Sequence, residues 1–297
     1  MWFKNISAFS VERELPDNFD GMLAEHQLRE PGPLEQESRG FVSPFARDGA
    51  ALSHSSHGCT LFCAGNESRM LPAPVLNAEV AKRIAQYEEM NWRKPGRRAR
   101  LELREAAVAE LLPRAFIKRS RTGAYFDSEM GMLIVDTASD SAAEDVVTMV
   151  RDALGSFPAR PLSCEMSITL LMTEWLIAGQ LPDGFEFGDE CELKDPSDHA
   201  MVVRCRRHDI TQDEIREHAR CGKRVTQLGL IFDGRIGFVL DDKLKLRKLR
   251  FLDVVADKLD AQDGADAEQI LDAEFALMSL ELRNLLKRMD SIFKFNK

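Results

Sequence analysis

The sequence predicts an α+β protein with antiparallel sheets and flanking helices. Three observations carry that expectation. Asp233-Gly234 separates the apolar runs VTQLGLIF and RIGFVL, and this residue pair suits the positive-φ turn of a two-residue hairpin. A period-two pattern runs through RAFIKRS, GAYFDS and GMLIVDT after Pro113. Two helical patterns, one ending at Leu154 and one within SITLLMTEWLIAG, stop at Gly155 and Gly179, as left-handed C-caps require.

Taken in order, FKNISAFSVE reads as a strand, and Pro16 opens a helix to about Leu28. REPGPLEQESRG is a turn-rich connection, followed by GFVSPF and a strand from Thr60 to Ala64 with a turn at Gly65-Asn66. Pro72 and Pro74 introduce a helix from about Val75 to Trp92; Lys94-Pro95-Gly96 breaks it, and a second runs from Arg98 to Leu112. Val80, Ile84, Tyr87 and Asn91 mark one narrow stripe, and Leu101, Leu103, Val108, Leu111 and Leu112 another. Such a hairpin buries little by itself and is expected to project from a larger body.

The three period-two segments that follow predict a three-stranded meander with turns at the glycines. A helix from Ser141 to Leu154, the extended link PARPLS and the helix ending at Gly179 come next, and LPDGFEFGDECELKDPSDH reads as loop and short strand. AMVVRCRRH is a strand, and Thr211-x-x-Glu214 has the form of a capping box for DEIREHARC, ended by Gly222. After the Asp233-Gly234 hairpin, KLKLRKLRF should place Lys243, Lys245 and Arg247 on one face and Leu244 and Leu246 on the other. A bulge at Lys248 returns Leu249 and Phe251 to the core. Helices from Leu252 to Leu259 and from Ala267 to Met289 end the chain. The expected organisation is a central region of 1–74 with 113–164, a hairpin of 75–112, and a second α+β region of 165–297.

Composition narrows the function. No run approaches the ~20 apolar residues of a membrane span, and the first residues lack the basic-then-apolar order of a secretory signal, so a cytoplasmic protein without membrane contact is expected. Six scattered cysteines read as reduced thiols. Net charge is -9, yet its distribution alternates: -5 over residues 1–68, +7 over 69–124, -13 over 125–200, +6 over 201–250 and -4 over 251–297. Within Trp92 to Arg121 alone, Arg93, Lys94, Arg97, Arg98, Arg100, Arg104, Arg114, Lys118, Arg119 and Arg121 face only Glu102, Glu105 and Glu110. A positive surface on an acidic chain points to a polyanion, with nucleic acid first.

The candidate DNA-binding residues are therefore Arg97, Arg98, Arg114, Lys118, Arg119 and Arg121 from the first block, and Arg204, Arg206, Arg207, Lys223, Arg224, Lys243, Lys245 and Arg247 from the second. Neither block interleaves aromatics, which favours phosphate contact over base stacking. The bland alternatives are a solvated helix face paired at helical spacing and a lysine-protected edge strand. His54, His57, Cys59 and Cys63 have the residue types of a zinc site but no standard spacing, so no metal or other cofactor is expected. Pro182-Asp183 with Glu192-Leu193-Lys194 resembles the carboxylate and lysine pattern of metal-dependent nucleases, and is a cheap match in an acidic segment. No P-loop, nucleophile elbow, dinucleotide fingerprint or zincin motif occurs, so no catalytic residue is assigned.

LPAPVL (71–76), LLPRAF (111–116), LGSFPARPLS (154–163), MTEWLIAG (172–179), VTQLGLIFDGRIGFVL (225–240), LRKLRF (246–251) and DAEFALM (272–278), in that order, resemble the bacterial RdgC family, as does the start MWFKNI. The resemblance implies a ring-shaped homodimer whose positive hole encircles double-stranded DNA without sequence preference and limits the recombinase RecA, in the cytoplasm and on the nucleoid. It also implies a dimer gate at Phe116 and at Arg207 and His208. Arg206 and Arg207 stand where the family usually has lysines, His208 where it has glutamine, and Phe41 where it has tryptophan. The exonuclease label carried by the family finds no further motif, and a metal-dependent exonuclease remains the alternative.

Overall fold

The computed structural model describes residues 2–45, 51–198, 200–252 and 267–296. Residues 253–259 of the expected helix from Leu252 to Leu259, and His199, lie outside the described residues. The class is α+β with antiparallel sheets, and the chain divides into two compact units.

The larger unit is Met1–Leu23, Ser43–Cys63 and Thr122–Lys297. Its central sheet has the order β10-β9-β11-β12-β13, formed by β9 (Phe185–Lys194), β10 (Val202–Arg206), β11 (Arg224–Phe232), β12 (Ile236–Asp241) and β13 (Leu246–Phe251). The Asp233-Gly234 hairpin forms as read, with φ of 48° and 65° at the two turn residues. Lys248 has φ of 52° at the step where the β12/β13 register shifts, so the expected bulge is present.

Helix α5 (Ile168–Ala178) lies against β11, and the Thr173 hydroxyl accepts from the Val225 amide at 3.0 Å. Helix α7 (Ala267–Phe293) buries Phe275, Met278, Leu282, Leu285, Leu286, Met289 and Phe293, a 3.6-period stripe facing the core. Helix α6 is Asp213–Arg220. Beside these, β1 (Ser7–Val11) pairs with β6 (Met132–Val135) and β7 (Ala159–Pro161), and β6 pairs with the end of β5 (Phe116–Asp127). Strand β3 (Ser53–Ser56) pairs with the start of β4 (Cys59–Met70), and β8 (Ser163–Cys164) pairs with β14 (Phe295–Asn296). Helix α4 (Asp140–Leu154) is capped by Ser139 and closed by left-handed Gly155, and Gly179 closes α5 the same way.

The smaller unit is Ala24–Val42 and Ala64–Arg121. It holds β2 (Glu37–Val42), the later part of β4, the first part of β5, and a hairpin of α2 (Ala73–Asn91) and α3 (Arg97–Leu111). Arg83 pairs with Glu79 along α2 and with Glu110 across the hairpin. Only Leu76 and Ala107 are fully buried within the two helices, in keeping with a thin apolar seam.

Several local expectations are corrected. Helix α1 (Phe19–Glu25) stops short of Leu28, because Leu28 donates to the Phe41 carbonyl and Phe41 to the His26 carbonyl. Gly65-Asn66 is no turn: β4 runs through it, and a Cβ on Gly65 would sit 2.8 Å from Val42 Cγ1. Gly123 likewise lies inside β5, so the meander has two strands, not three. The segment read as loop and short strand is the ten-residue β9, where Gly188 lets the Gly229 backbone approach: a Cβ there would lie 2.9 Å from the Gly229 carbonyl carbon. Thr211 donates to Asp209 and Gln212 is the N-cap of α6, so no capping box forms. Leu101 points outward from its expected stripe.

Candidate nucleic-acid interface

Burial and pairing sort the expected residues. In the smaller unit the first part of β5 is exposed at Phe116, Lys118, Arg119, Ser120 and Arg121, whereas its last residues are buried. Among the described residues, Arg97, Arg114, Lys118 and Arg121 are exposed and form no ion pair. Arg98 pairs with Glu102 one helical turn on, at full exposure, an interaction of little energy. Arg119 Nε reaches Glu67 at 2.8 Å, and Glu67 is buried, so this guanidinium is engaged within the fold. The smaller unit carries a net charge of +4 and the larger -13.

In the larger unit, Arg206, Arg207 and Arg224 are exposed, Lys223 is half-buried, and none forms an ion pair among the described residues. Arg204 is bound to Glu192, its Nε 2.6 Å from Oε2, while Oε1 takes Lys194 at 3.1 Å and Thr226 at 3.1 Å. Burial pushes the Glu192 carboxyl up, but the hydrogen bonds from Arg204, Lys194 and Thr226 together hold it below its ordinary value.

The expected common face of Lys243, Lys245 and Arg247 does not form. Asp241 accepts from the Lys243 and Lys245 amides in a turn that holds Leu244 at φ of 60°, and β13 begins only at Leu246. Lys243 and Lys245 both bind Asp140, at 2.8 and 2.5 Å, and buried Lys245 also donates to the Ala138 carbonyl. Arg247 is held by buried Asp241 at 2.8 Å. Sequence reasoning could not see these pairings: Asp140 comes from a helix about a hundred residues earlier, and Asp241, at the end of β12, meets Arg247 only because the chain turns back between them.

The expected gate residues are also open. Phe116 is 82% exposed. β10 ends at left-handed Arg207 (φ 53°), and His208 meets Glu214 at 3.6 Å. Arg207 and His208 line a depression of about 680 Å³ on the sheet face that carries Gly229, Ile231, Gly237 and Val239. A Cβ on Gly237 would meet nothing within 4 Å, so its absence leaves a hollow. The sequence offered these glycines only as hairpin neighbours. Phe41 is fully buried in the smaller unit and is no surface residue.

In the nuclease pattern both Glu192 oxygens are already occupied, Oε2 by Arg204 and Oε1 by Lys194 itself and Thr226, and the Asp183 backbone carbonyl accepts from Arg288. Cys59 and Cys63 are buried, and His54 Nε2 binds Asp272 at 2.7 Å. Among the described residues no cluster of three or more His, Cys, Asp or Glu side chains could hold a metal ion, and no helix is long and apolar enough to cross a membrane.

A family model described as "Putative exonuclease, RdgC" matches residues 1–296. Relatives named recombination-associated protein RdgC include that of Xanthomonas axonopodis pv. citri (strain 306), 42% identical over 301 residues, that of Xanthomonas campestris pv. campestris (strain B100), 41% over 299, and that of Xylella fastidiosa (strain 9a5c), 40% over 299. Each match covers 100% of this chain and 99% of the relative. With residues 1–296 matched by the family model and the whole chain covered by these relatives, the chain belongs to the RdgC family of recombination-associated proteins.

Proposed function

We propose that this chain binds double-stranded DNA without sequence preference, by phosphate contacts, as a homodimer that closes around the duplex and limits RecA-dependent recombination. One observation carries the reading: in an acidic chain, exposed cations that form no ion pair among the described residues lie at and just before the first part of β5, as Arg114, Lys118 and Arg121, and around the β10 end and β11 start, as Arg206, Arg207 and Arg224. A cation with no internal partner binds phosphate without first breaking a pair, and each phosphate neutralised releases counterions.

Closure would use Phe116. An aromatic ring at that exposure on a strand of cations calls for a partner surface, and the depression beside Arg207 and His208 of a second copy offers an apolar floor. The expected organisation, a central region of 1–74 with 113–164, a hairpin of 75–112 and a base of 165–297, fits a dimer that meets at more than one place. Nucleoid association in the cytoplasm follows from the ligand.

The test is a titration of random-sequence duplexes over a salt series, with a plasmid incubated with magnesium or manganese in parallel. The expected result is a steep fall of log K with log salt, unchanged by sequence, and a shifted but intact plasmid. A flat salt dependence contradicts phosphate binding, and metal-dependent cleavage favours the exonuclease alternative.

A further inference from the structure

We infer that Cys191 and Cys205 form an oxidative modification site, a dithiol that a peroxide converts into a cross-strand disulfide clipping β10 to β9. The two residues are direct partners in the antiparallel β9/β10 ladder, and both side chains lie on the core-facing side of the sheet. Directly opposed residues in such a ladder have Cβ atoms about 4.5–5.5 Å apart, and a disulfide needs about 3.5–4.5 Å. The remaining gap is small for a strand free to shift. β10 is such a strand: among the described residues it is the terminal strand of its sheet, paired only with β9, and weakly held elements open locally at low free energy.

The two thiols are unequal. Cys191 is buried, and burial, then the charge and hydrogen bond of Cys205, push its thiol above the ordinary range. Cys205 is half-buried, so a small oxidant meets it first. In the first step the Cys205 sulfur, as thiolate, attacks one peroxide oxygen; the O–O bond breaks, the sulfur becomes a sulfenic acid, and the second oxygen leaves as hydroxide and takes up the thiol proton as water. In the second step the Cys191 sulfur attacks the Cys205 sulfur, an S–S bond forms, the S–OH bond breaks, and hydroxide leaves with the Cys191 proton as water. Two thiols are oxidised, one hydrogen peroxide is reduced, and two waters form.

The other cysteines lack this arrangement. Cys59 and Cys63 follow one another along the single strand β4 and are not cross-strand partners, and Cys221 is exposed at the end of α6 with Glu217 beside it. The consequence of the clip is local. It fastens the edge strand that bears Arg204 and Arg206 and leads into left-handed Arg207.

The experiment treats the full-length native protein with hydrogen peroxide, denatures it without reductant, counts alkylatable thiols by mass, and maps the linked peptides; hydrogen exchange at 202–206 is read on the same samples. The expected count falls from six to four with a Cys191–Cys205 linked peptide, and exchange along β10 slows. Cys205→Ser should keep all its remaining thiols and its fast exchange, while Cys221→Ser should still lose the pair. A peptide linked through Cys221, a link between two chains, over-oxidation of Cys205 with Cys191 still free, or no thiol loss would each overturn the proposal. Because Cys205→Ser changes a half-buried edge position, its circular dichroism is compared with the parent protein; if it fails to fold, Cys205→Ala supplies the same comparison.

Discussion

Arg283 shows how single residues hold this fold. Its Nε donates to Asp127 at 2.7 Å, and the Asp127 carboxylate is fully buried while accepting from the Glu129 and Met130 amides. Removing the cation strands a buried charge, so Arg283→Ala is expected to destabilise the protein by about 3 kcal/mol, read as a lower urea midpoint; an unchanged midpoint contradicts the pairing. Asp140 gives a prediction in pH. Hydrogen bonds from Lys243 and then Lys245 lower its carboxyl from 3.8 to about 2, so its contribution is present above about pH 4 and is lost as pH falls toward 2. Asp140→Asn should flatten the loss of stability over that window, and identical pH profiles for the two proteins would contradict it. Neither interaction was legible in the sequence, because Arg283 and Asp127, like Lys243 and Asp140, are more than a hundred residues apart.

Among the elements, those governed by local chemistry were readable. The Asp233-Gly234 hairpin, the glycine stops at Gly155 and Gly179, and the Lys248 bulge follow from residues within a few positions of each other. Glycines misled wherever their purpose was close packing: Gly65 read as a turn and Gly188 fell in a segment read as loop and short strand, but they lie inside β4 and β9, making room for Val42 and for the Gly229 backbone. Thr211 misled because Asp209 took its hydroxyl before the helix could. The hollow by Gly237 yields a prediction at this scale. Gly237→Leu meets no atom within 4 Å of its new Cβ, so it should fold normally yet fill the depression and weaken dimerisation; analytical ultracentrifugation with an unshifted dimer constant would count against Phe116 docking there. For β5, Lys118→Glu with Arg121→Glu should weaken binding to all duplexes alike and make the salt slope shallower by about 1 for each phosphate no longer neutralised. Arg247→Gln should act chiefly on stability, since buried Asp241 already holds that side chain.

Over the whole molecule, charge segregation was legible and its accessible part was not. Counting along the chain located two positive blocks, yet several of the basic residues in them are internal partners: Arg119 of Glu67, Arg204 of Glu192, Lys243 and Lys245 of Asp140, and Arg247 of Asp241. A count cannot distinguish a cation that stabilises the fold from one left for a ligand. The larger unit carries a net -13 even with Arg206, Arg207 and Arg224 counted in it, and its acidic surface repels DNA, so the proposed closure of two chains around the duplex would have to present these cations, not the acids, to the phosphates. Native mass spectrometry of the protein with a short random-sequence duplex tests that arrangement most directly. The expected species is two chains on one intact duplex, dissolving as salt rises; one chain per duplex, or no complex at low salt, would contradict it.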